Sequence, residues 1–371
     1  MRRCPCGIAR ENRGPATRDV FTCLGPIRLR RRWWGSKCPC TPGGYLVDAV
    51  LGLDGGLSPR LQTKACRLAA DVSFAVAAEH LKELLGVTPA VETLRTYCER
   101  QAGRVAHWQA SETGSAEAFH AAEGGWEFTI DAGKVNTREK GWRDLKIAVA
   151  QKRPTAKPAT PAQWESRVLP EPTARVMWAD IAKSERFRRT WRSRLGRLGL
   201  KAPAQLHVLG DGASWIWKAA GRALTGCRQT LDVYHACEHL ATAGKRLYGD
   251  ATPEAAAFLE RGRKVLLDEG WNGVCRLVGE ELAASDTPKR RAALDRLVNY
   301  FVAHLNRLDY RGRLANGDAI GSGAVEGAAK TLGVRLKARG ARWRHNNAKA
   351  MAALVCCRHT GQWDLFWARP A

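Results

Sequence analysis

From Trp126 onward, apolar positions alternate in short bursts before settling into a helical rhythm. Trp126-Glu127-Phe128-Thr129-Ile130-Asp131 predicts a short strand that ends on a carboxylate. Trp142–Gln151 and Ala174–Ile181 predict two further strands. A basic helix follows over 183–198, and Gln205–Leu209 predicts a fourth strand that runs into Gly210-Asp211-Gly212. A helix over Ser214–Leu224 then leads to a fifth strand over Arg228–Val233. Three early strands followed by a β-α-β unit predict an α/β fold with a sheet of mixed direction. From His235 to Arg313 the rhythm changes. Leu240, Leu247, Phe258, Leu266, Val274, Leu294, Leu297 and Phe301 fall at helical spacings. Residues 314–371 are rich in glycine, then strongly basic, and end in an apolar helix through Ala350–Cys356.

The segment before the sheet reads differently. Val20–Trp34 predicts a β-hairpin with Gly25-Pro26 as its turn, and Ile27 and Leu29 alternate with Arg28 and Arg30. Residues 58–115 read as helical. Ala75–Leu85 is one amphipathic helix, and Gly86-Val87-Thr88-Pro89 breaks it. Thr88 is the expected N-cap and Pro89 the first helical position of a second helix, Ala90–Ala102, which Gly103 would stop. This pattern fits a helix-turn-helix and equally an ordinary helical hairpin. Residues 112–124 read as a linker and Lys152–Pro170 as a long mobile loop; no repeat is visible.

Composition narrows the class of partner. The 371 residues hold 60 Lys and Arg against 36 Asp and Glu, a net charge of +24, and 45% are hydrophobic. That apolar fraction excludes a disordered tail. The charge points to a polyanion, and nucleic acid is the default one. A GC-rich genome would raise Arg, Ala and Gly, but it leaves the shortage of acids unexplained. No apolar run reaches the ~18 residues of a membrane span, and MRRCPCG lacks the apolar core of a secretory signal. No membrane partner and a cytoplasmic location are therefore expected, and the 12 cysteines should not form disulfides.

Three acids stand where chemistry is plausible. Asp131 and Asp211 each close a predicted strand, and Glu326 lies in Gly321-Ser322-Gly323-Ala324-Val325-Glu326, a loop opening a helix. They are 80 and 115 residues apart. Carboxylates converging from separate elements are what two-metal phosphoryl transfer requires, and flanking glycines admit a phosphate backbone. Each acid alone is an ordinary turn former or cap; together, in a chain of this charge, they form a pattern.

These residues sit in longer motifs. They are Ile130-Asp131 with Gly141-Trp142-Arg143-Asp144-Leu145-Lys146, then Gly210-Asp211-Gly212-Ala213-Ser214-Trp215-Ile216-Trp217, then Leu231-Asp232-Val233-Tyr234-His235-Ala236-Cys237-Glu238-His239-Leu240. Ile320–Glu326 and Leu336-Lys337-Ala338-Arg339-Gly340-Ala341-Arg342-Trp343 complete the set. In this order they resemble the DDE transposases of bacterial insertion sequences, of the ISKra type, and more distantly the Mutator-like group. Ala132 departs from that pattern, where a glycine commonly follows the first Asp. The resemblance implies an RNase H-like catalytic domain over 122–371 with a helical insertion at 239–313, and Asp131, Asp211 and Glu326 as ligands of Mg²⁺ or Mn²⁺. It also singles out the Asp232-x-x-His235 pair. His235 could contact the scissile phosphate as a catalytic residue, or Asp232 could simply hydrogen-bond it.

Ahead of that domain the expectation is a Cys-rich, zinc-ribbon-like module over 1–57 and a helical DNA-binding domain over 58–115. Cys4, Cys6, Cys38 and Cys40 could bind one Zn²⁺, although both pairs are C-x-C rather than the usual C-x-x-C. Cys23 could replace one ligand, and free thiols are the alternative. Cys356-Cys357 reads as core. Arg335, Lys337, Arg339, Arg342, Trp343 and Arg344 are the candidate DNA contacts. A second cluster, Arg186 to Arg197, fits a solvated face as well as a DNA contact.

The expected function is DNA cleavage and strand transfer by a nucleoid-associated bacterial mobile-element enzyme. Its partners would be double-stranded terminal repeats and target DNA, handled by a homodimer or larger assembly. A nuclease of the same fold without strand transfer and a transposase-derived DNA-binding regulator are the rivals.

Overall fold

The computed structural model describes residues 3–4, 6–40, 42–53, 56–285 and 287–368. It opens with β1 (Glu11–Thr22), β2 (Gly25–Gly35) and β3 (Gly44–Tyr45), a three-stranded antiparallel sheet, followed by the short α1 (Leu46–Val50). Thr22 pairs with Gly25, so the hairpin turns at Cys23-Leu24 rather than at Gly25-Pro26. Gly25 takes φ +106 just after the turn, and Pro26 lies within β2.

Next come α2 (Pro59–Asp71), α3 (Phe74–Leu85), α4 (Val91–Ser111) and α5 (Ser115–Ala121). The Ser73 hydroxyl caps α3, accepting from the Val76 N–H, and Gly86 ends it in the left-handed conformation. The expected Thr88 cap and Pro89 start are corrected. Both residues lie in the turn, α4 begins at Val91 after Ala90, and it runs through Gly103 to Ser111. Burial explains the extra length, because Val105 and Gln109 continue the inward face of Leu94, Tyr97 and Ala102. The expected linker is also ordered. Glu112 receives the Ser115 N–H and hydroxyl, and Phe119 stacks on Trp126.

The main sheet comprises β4 (Gly125–Thr137), β5 (Gly141–Arg153) and β6 (Ala174–Asp180). After α6 (Ser184–Arg189) and α7 (Trp191–Arg197) it continues through β7 (Leu206–Gly210), α8 (Ser214–Ala223) and β8 (Arg228–Leu231). Its order is β6-β5-β4-β7-β8. The first three strands are antiparallel, whereas β4, β7 and β8 run parallel. The fold is thus α/β with a mixed five-stranded sheet, as the pattern predicted.

Alternation along each strand sends side chains to two faces. Phe128, Ile130, Ala148, Trp178 and Val208 face α6–α8 and the helices beyond. Those helices are α9 (Val233–Tyr248), α10 (Pro253–Glu269), α11 (Trp271–Ala284), α12 (Pro288–Val302) and α13 (Tyr310–Ala315). Val135, Ile147, Val149 and Met177 face the opposite way. They share one core with α2–α4 and with α14 (Gly323–Leu336) and α15 (His345–Arg358), ahead of the terminal α16 (Gln362–Trp367). Cys356 and Cys357 are buried in that core. The segment after β5 is not the loose loop its composition suggested. Ala156 and Ala159 N–H groups bond Gly317 and Leu314, and Arg167 bonds the Asp318 carbonyl.

Candidate acid site and cysteine cluster

Asp131 and Asp211 leave two neighbouring parallel strands at the same level. The last β4–β7 pair is Ile130 with Gly210, and each aspartate is the next residue. Asp131 does not end its strand, which is a correction: β4 continues to Thr137 against β5, with Asp131 opposite Ile147. It ends only the β7 side of the pairing. There β7 stops because Asp211 folds back on itself, its Oδ1 accepting from the Ala213 N–H at 2.9 Å. The Asp211 carbonyl accepts from Trp217 Nε1 at 2.9 Å. Burial, with the neighbouring Asp131 charge, pushes the Asp211 carboxyl above its ordinary range, and the Ala213 N–H opposes that. Two carboxylates in so confined a place favour a cation between them.

Glu326 lies in the first turn of α14. Val325, Ala328 and Leu332 anchor this helix in the core of the same sheet face toward which Asp131 points. Its start is fixed by Asp232, which is fully buried. Asp232 Oδ1 caps α9, accepting from the Tyr234 and His235 N–H groups at 2.7 and 3.2 Å. Its Oδ2 accepts from both the N–H and the hydroxyl of Ser322. The Ser322 hydroxyl lies 3.4 Å from Glu326 Oε1, and the Val233 N–H donates to the Ile320 carbonyl. One carboxylate therefore joins the starts of two helices and delivers Glu326 to the sheet. Burial raises the Asp232 pKa, but the bonds from His235 and Ser322 outweigh it and hold the group below the usual range.

His235 Nδ1 is 3.7 Å from Asp232 Oδ1, an ion-pair distance too long for a hydrogen bond. The Asp232 carboxylate, reinforced by Asp211 and Glu238, pushes the imidazole up to about 9 against the effect of burial. Ligand atoms of Asp232, His235 and Glu326 lie within 4.8 Å of one another. This tight group is better read as support than as a ligand set. Both Asp232 oxygens already accept hydrogen bonds that fix the starts of α9 and α14. Asp131 and Asp211 stand outside that group, and among the described residues they do not join Glu326 in a set of ligand atoms within 4.8 Å of one another.

The basic segment divides into two parts. Lys337, Arg339, Arg342 and Arg344 are exposed, and a Cβ built on Gly133, two residues beyond Asp131, would lie 3.7 Å from Lys337 Nζ. Arg335 and Trp343 are buried, which corrects their expected role in DNA contact. Arg335 Nε donates to the Ala69 carbonyl at 2.6 Å, and its guanidinium packs over Phe74 and Trp343. Burial lowers its pKa to about 10, so it stays charged. Trp343 Nε1 donates to the Leu336 carbonyl. Trp343 bridges to Thr137 at the end of β4, and its carbonyl accepts from the Arg138 N–H. The strand that carries Asp131 is thereby stitched to the basic loop. A groove of about 480 Å³ runs there between Phe74, Arg95, Arg138, Arg339, Arg342 and Arg344.

At the open end of the first hairpin, the Sγ atoms of Cys4, Cys6, Cys38 and Cys40 lie within 4.8 Å of one another. Pairing of Glu11 with Gly35 brings the two C-x-C segments together. Cys38 Sγ is 3.0 Å from Cys4 Sγ. Hydrogen bonds with Cys4 and Ser36 lower the Cys38 thiol to about 6. The set can hold a metal ion: tetrahedral zinc with bonds of ~2.3 Å needs sulfurs about 3.8 Å apart. Cys23 lies at the far end of the hairpin, packed toward the second core, and is no substitute ligand.

Residues 200–365 match the model of an uncharacterised protein family, UPF0236. No curated protein matches the chain. The matched stretch takes in Asp211, Asp232, His235, the helical block, Glu326 and the basic loop, but it begins after Asp131. Sequence reasoning missed Ser322 as a partner of Asp232, although a serine between two glycines just before a helix was the available signal. It also missed Tyr300, which only the fold brings to Asp211.

Proposed function

We propose that this chain is a metal-dependent DNA transposase of the DDE type, with Asp131, Asp211 and Glu326 as its metal ligands. The observation that carries this reading is the placement of Asp131 and Asp211 side by side on parallel strands, with Glu326 held over the same sheet face. An antiparallel three-strand unit continued by two parallel strands supports an RNase H-like domain, and the helices from α9 to α13 stand where its insertion would be. Mg²⁺ or Mn²⁺ held by the acids would activate the attacking oxygen and stabilise the leaving one. Water would first cut the phosphodiester at the element's end, and the freed 3′ hydroxyl would then attack target DNA. His235 would donate a hydrogen bond to a phosphate oxygen. Lys337, Arg339, Arg342 and Arg344 would hold the backbone near the acids.

The cysteine cluster would take one structural Zn²⁺. The module it staples, with α3 and α4, would read the terminal repeats. Arg28, Arg30 and Arg32 lie exposed along β2, at a spacing that suits a ribbon against double-stranded DNA. The enzyme would act on paired ends as a dimer or larger assembly in the bacterial nucleoid. Among the described residues no helix is long and apolar enough to cross a membrane.

The test is incubation with Mg²⁺ and DNA carrying the sequences that flank the reading frame. Cleavage followed by joining to a second duplex is expected, and Asp211→Asn should abolish both while binding persists. Cutting without joining would favour a nuclease, and binding without cutting a regulator.

A further inference from the structure

Asp211 is held from outside its own strand. Tyr300, on α12, presses its ring against the next residue: a Cβ built on Gly212 would meet the Tyr300 ring at 2.5 Å and its hydroxyl at 2.8 Å. Any side chain at 212 would displace that ring. His239 of α9 stacks on the other side of Tyr300, with centroids 3.4 Å apart and planes 12° from parallel. His304, one turn further along the chain, packs edge-on against Tyr300 and reaches the Gly212 backbone. Trp217 bonds the Asp211 carbonyl. The Asp211-Gly212 loop is thus gripped by the helical block and by α8 together.

The Tyr300 hydroxyl is buried and makes no hydrogen bond among the described residues. A phenol is a protonated donor at neutral pH, and this hydroxyl lies against Gly212, the residue after Asp211.

We propose that Tyr300 is a positioning residue of the acid site: its ring fixes the Asp211-Gly212 loop, and its hydroxyl supplies a donor on the Asp211 side. The helical block is then part of the site, and it sets how well Asp211 binds a divalent cation. This rests on the proposed metal chemistry of the acids.

Mn²⁺ titration calorimetry on the full chain, with melting curves as a folding check, tests it. Gly212→Ala should weaken Mn²⁺ binding by about tenfold, as loss of a supporting group does. Tyr300→Ala removes the ring and the hydroxyl together and should weaken binding at least as much as Gly212→Ala. Tyr300→Phe keeps the ring and should weaken binding by roughly threefold to tenfold, lowering kcat for DNA cleavage with little change in KM. Unchanged Mn²⁺ affinity in folded Gly212→Ala and Tyr300→Phe would overturn the role of Tyr300 alone. So would a folded Tyr300→Ala chain that binds Mn²⁺ as tightly as the parent. A parent chain that binds no Mn²⁺ would overturn the proposed function and this inference with it.

Discussion

The cysteine cluster and the acid site are two candidate metal centres built in opposite ways. The cysteines are assembled on a module with almost no core. Among the described residues before Leu57, only Cys4 and Val20 are buried apolar side chains, and Arg31 is buried there on Tyr45 and Asp48. Leu24, Ile27 and Val50 face solvent. Hydrophobic burial cannot hold such a ribbon alone, so metal binding would be folding energy. The acids, in contrast, stand on a sheet packed on both faces, with Trp178 and Trp191 buried beneath it. Their scaffold is independent of any ion, and a cation there would supply chemistry. The first centre would make structure, whereas the second uses structure already made.

This contrast is tested most visibly by removing the metal that the cysteine cluster is proposed to hold. Chelation, or Cys38→Ser, should cost the hairpin metal-binding energy on the order of 10 kcal/mol. Hydrogen exchange should then show lost amide protection in residues 11–35 with the main sheet unchanged. Full protection of the hairpin without zinc would contradict the account. Next in size is Arg335→Ala. It removes a buried hydrogen bond and two aromatic contacts, and about 3 kcal/mol of stability in denaturant titration is expected, with the salt dependence of DNA binding unmoved.

The sheet also carries a pH signature of its own. His207, buried beside Thr230, has its pKa lowered to about 3 by burial and by Arg313 and Arg228. Its folded value lies below the unfolded ~6.5, so the unfolded state takes up the proton first. The stability is complete above pH ~6.5 and falls as the pH drops toward 3, by about 2 kcal/mol at pH 5. His207→Gln should flatten that slope in melts run across this range. Smallest is the effect of Arg339→Ala or Arg342→Ala. Each should weaken duplex binding by roughly 1 kcal/mol and lower the salt slope by about one, with no change in melting. A melting change without a salt effect would place them with Arg335.

The difference between the centres also explains what the sequence could reveal. Strands over Trp142–Gln151, Ala174–Ile181 and Gln205–Leu209 were legible because their apolar positions alternate or run together. Asp211 and Glu326 were legible through their glycines. Asp131 looked terminal because Gly133 and Lys134 break the apolar run. The strand nevertheless continues, since β5 pairs with it through Thr137. Arg335 and Trp343 looked like DNA contacts because local sequence does not show that Phe74, from a distant helix, covers them. Ser322 stood out locally between its glycines before a helix, but nothing there named Asp232, 90 residues away, and Tyr300 carries no local signal for Gly212, 88 residues away.

The most direct test of the central claim is the position of the ion. Crystals grown with Mn²⁺ and examined by anomalous scattering should show density between Asp131 and Asp211, shared with Glu326, and Asp211→Asn should remove it. Density on Asp232, His235 and Glu326, with none between the two aspartates, would contradict the assignment.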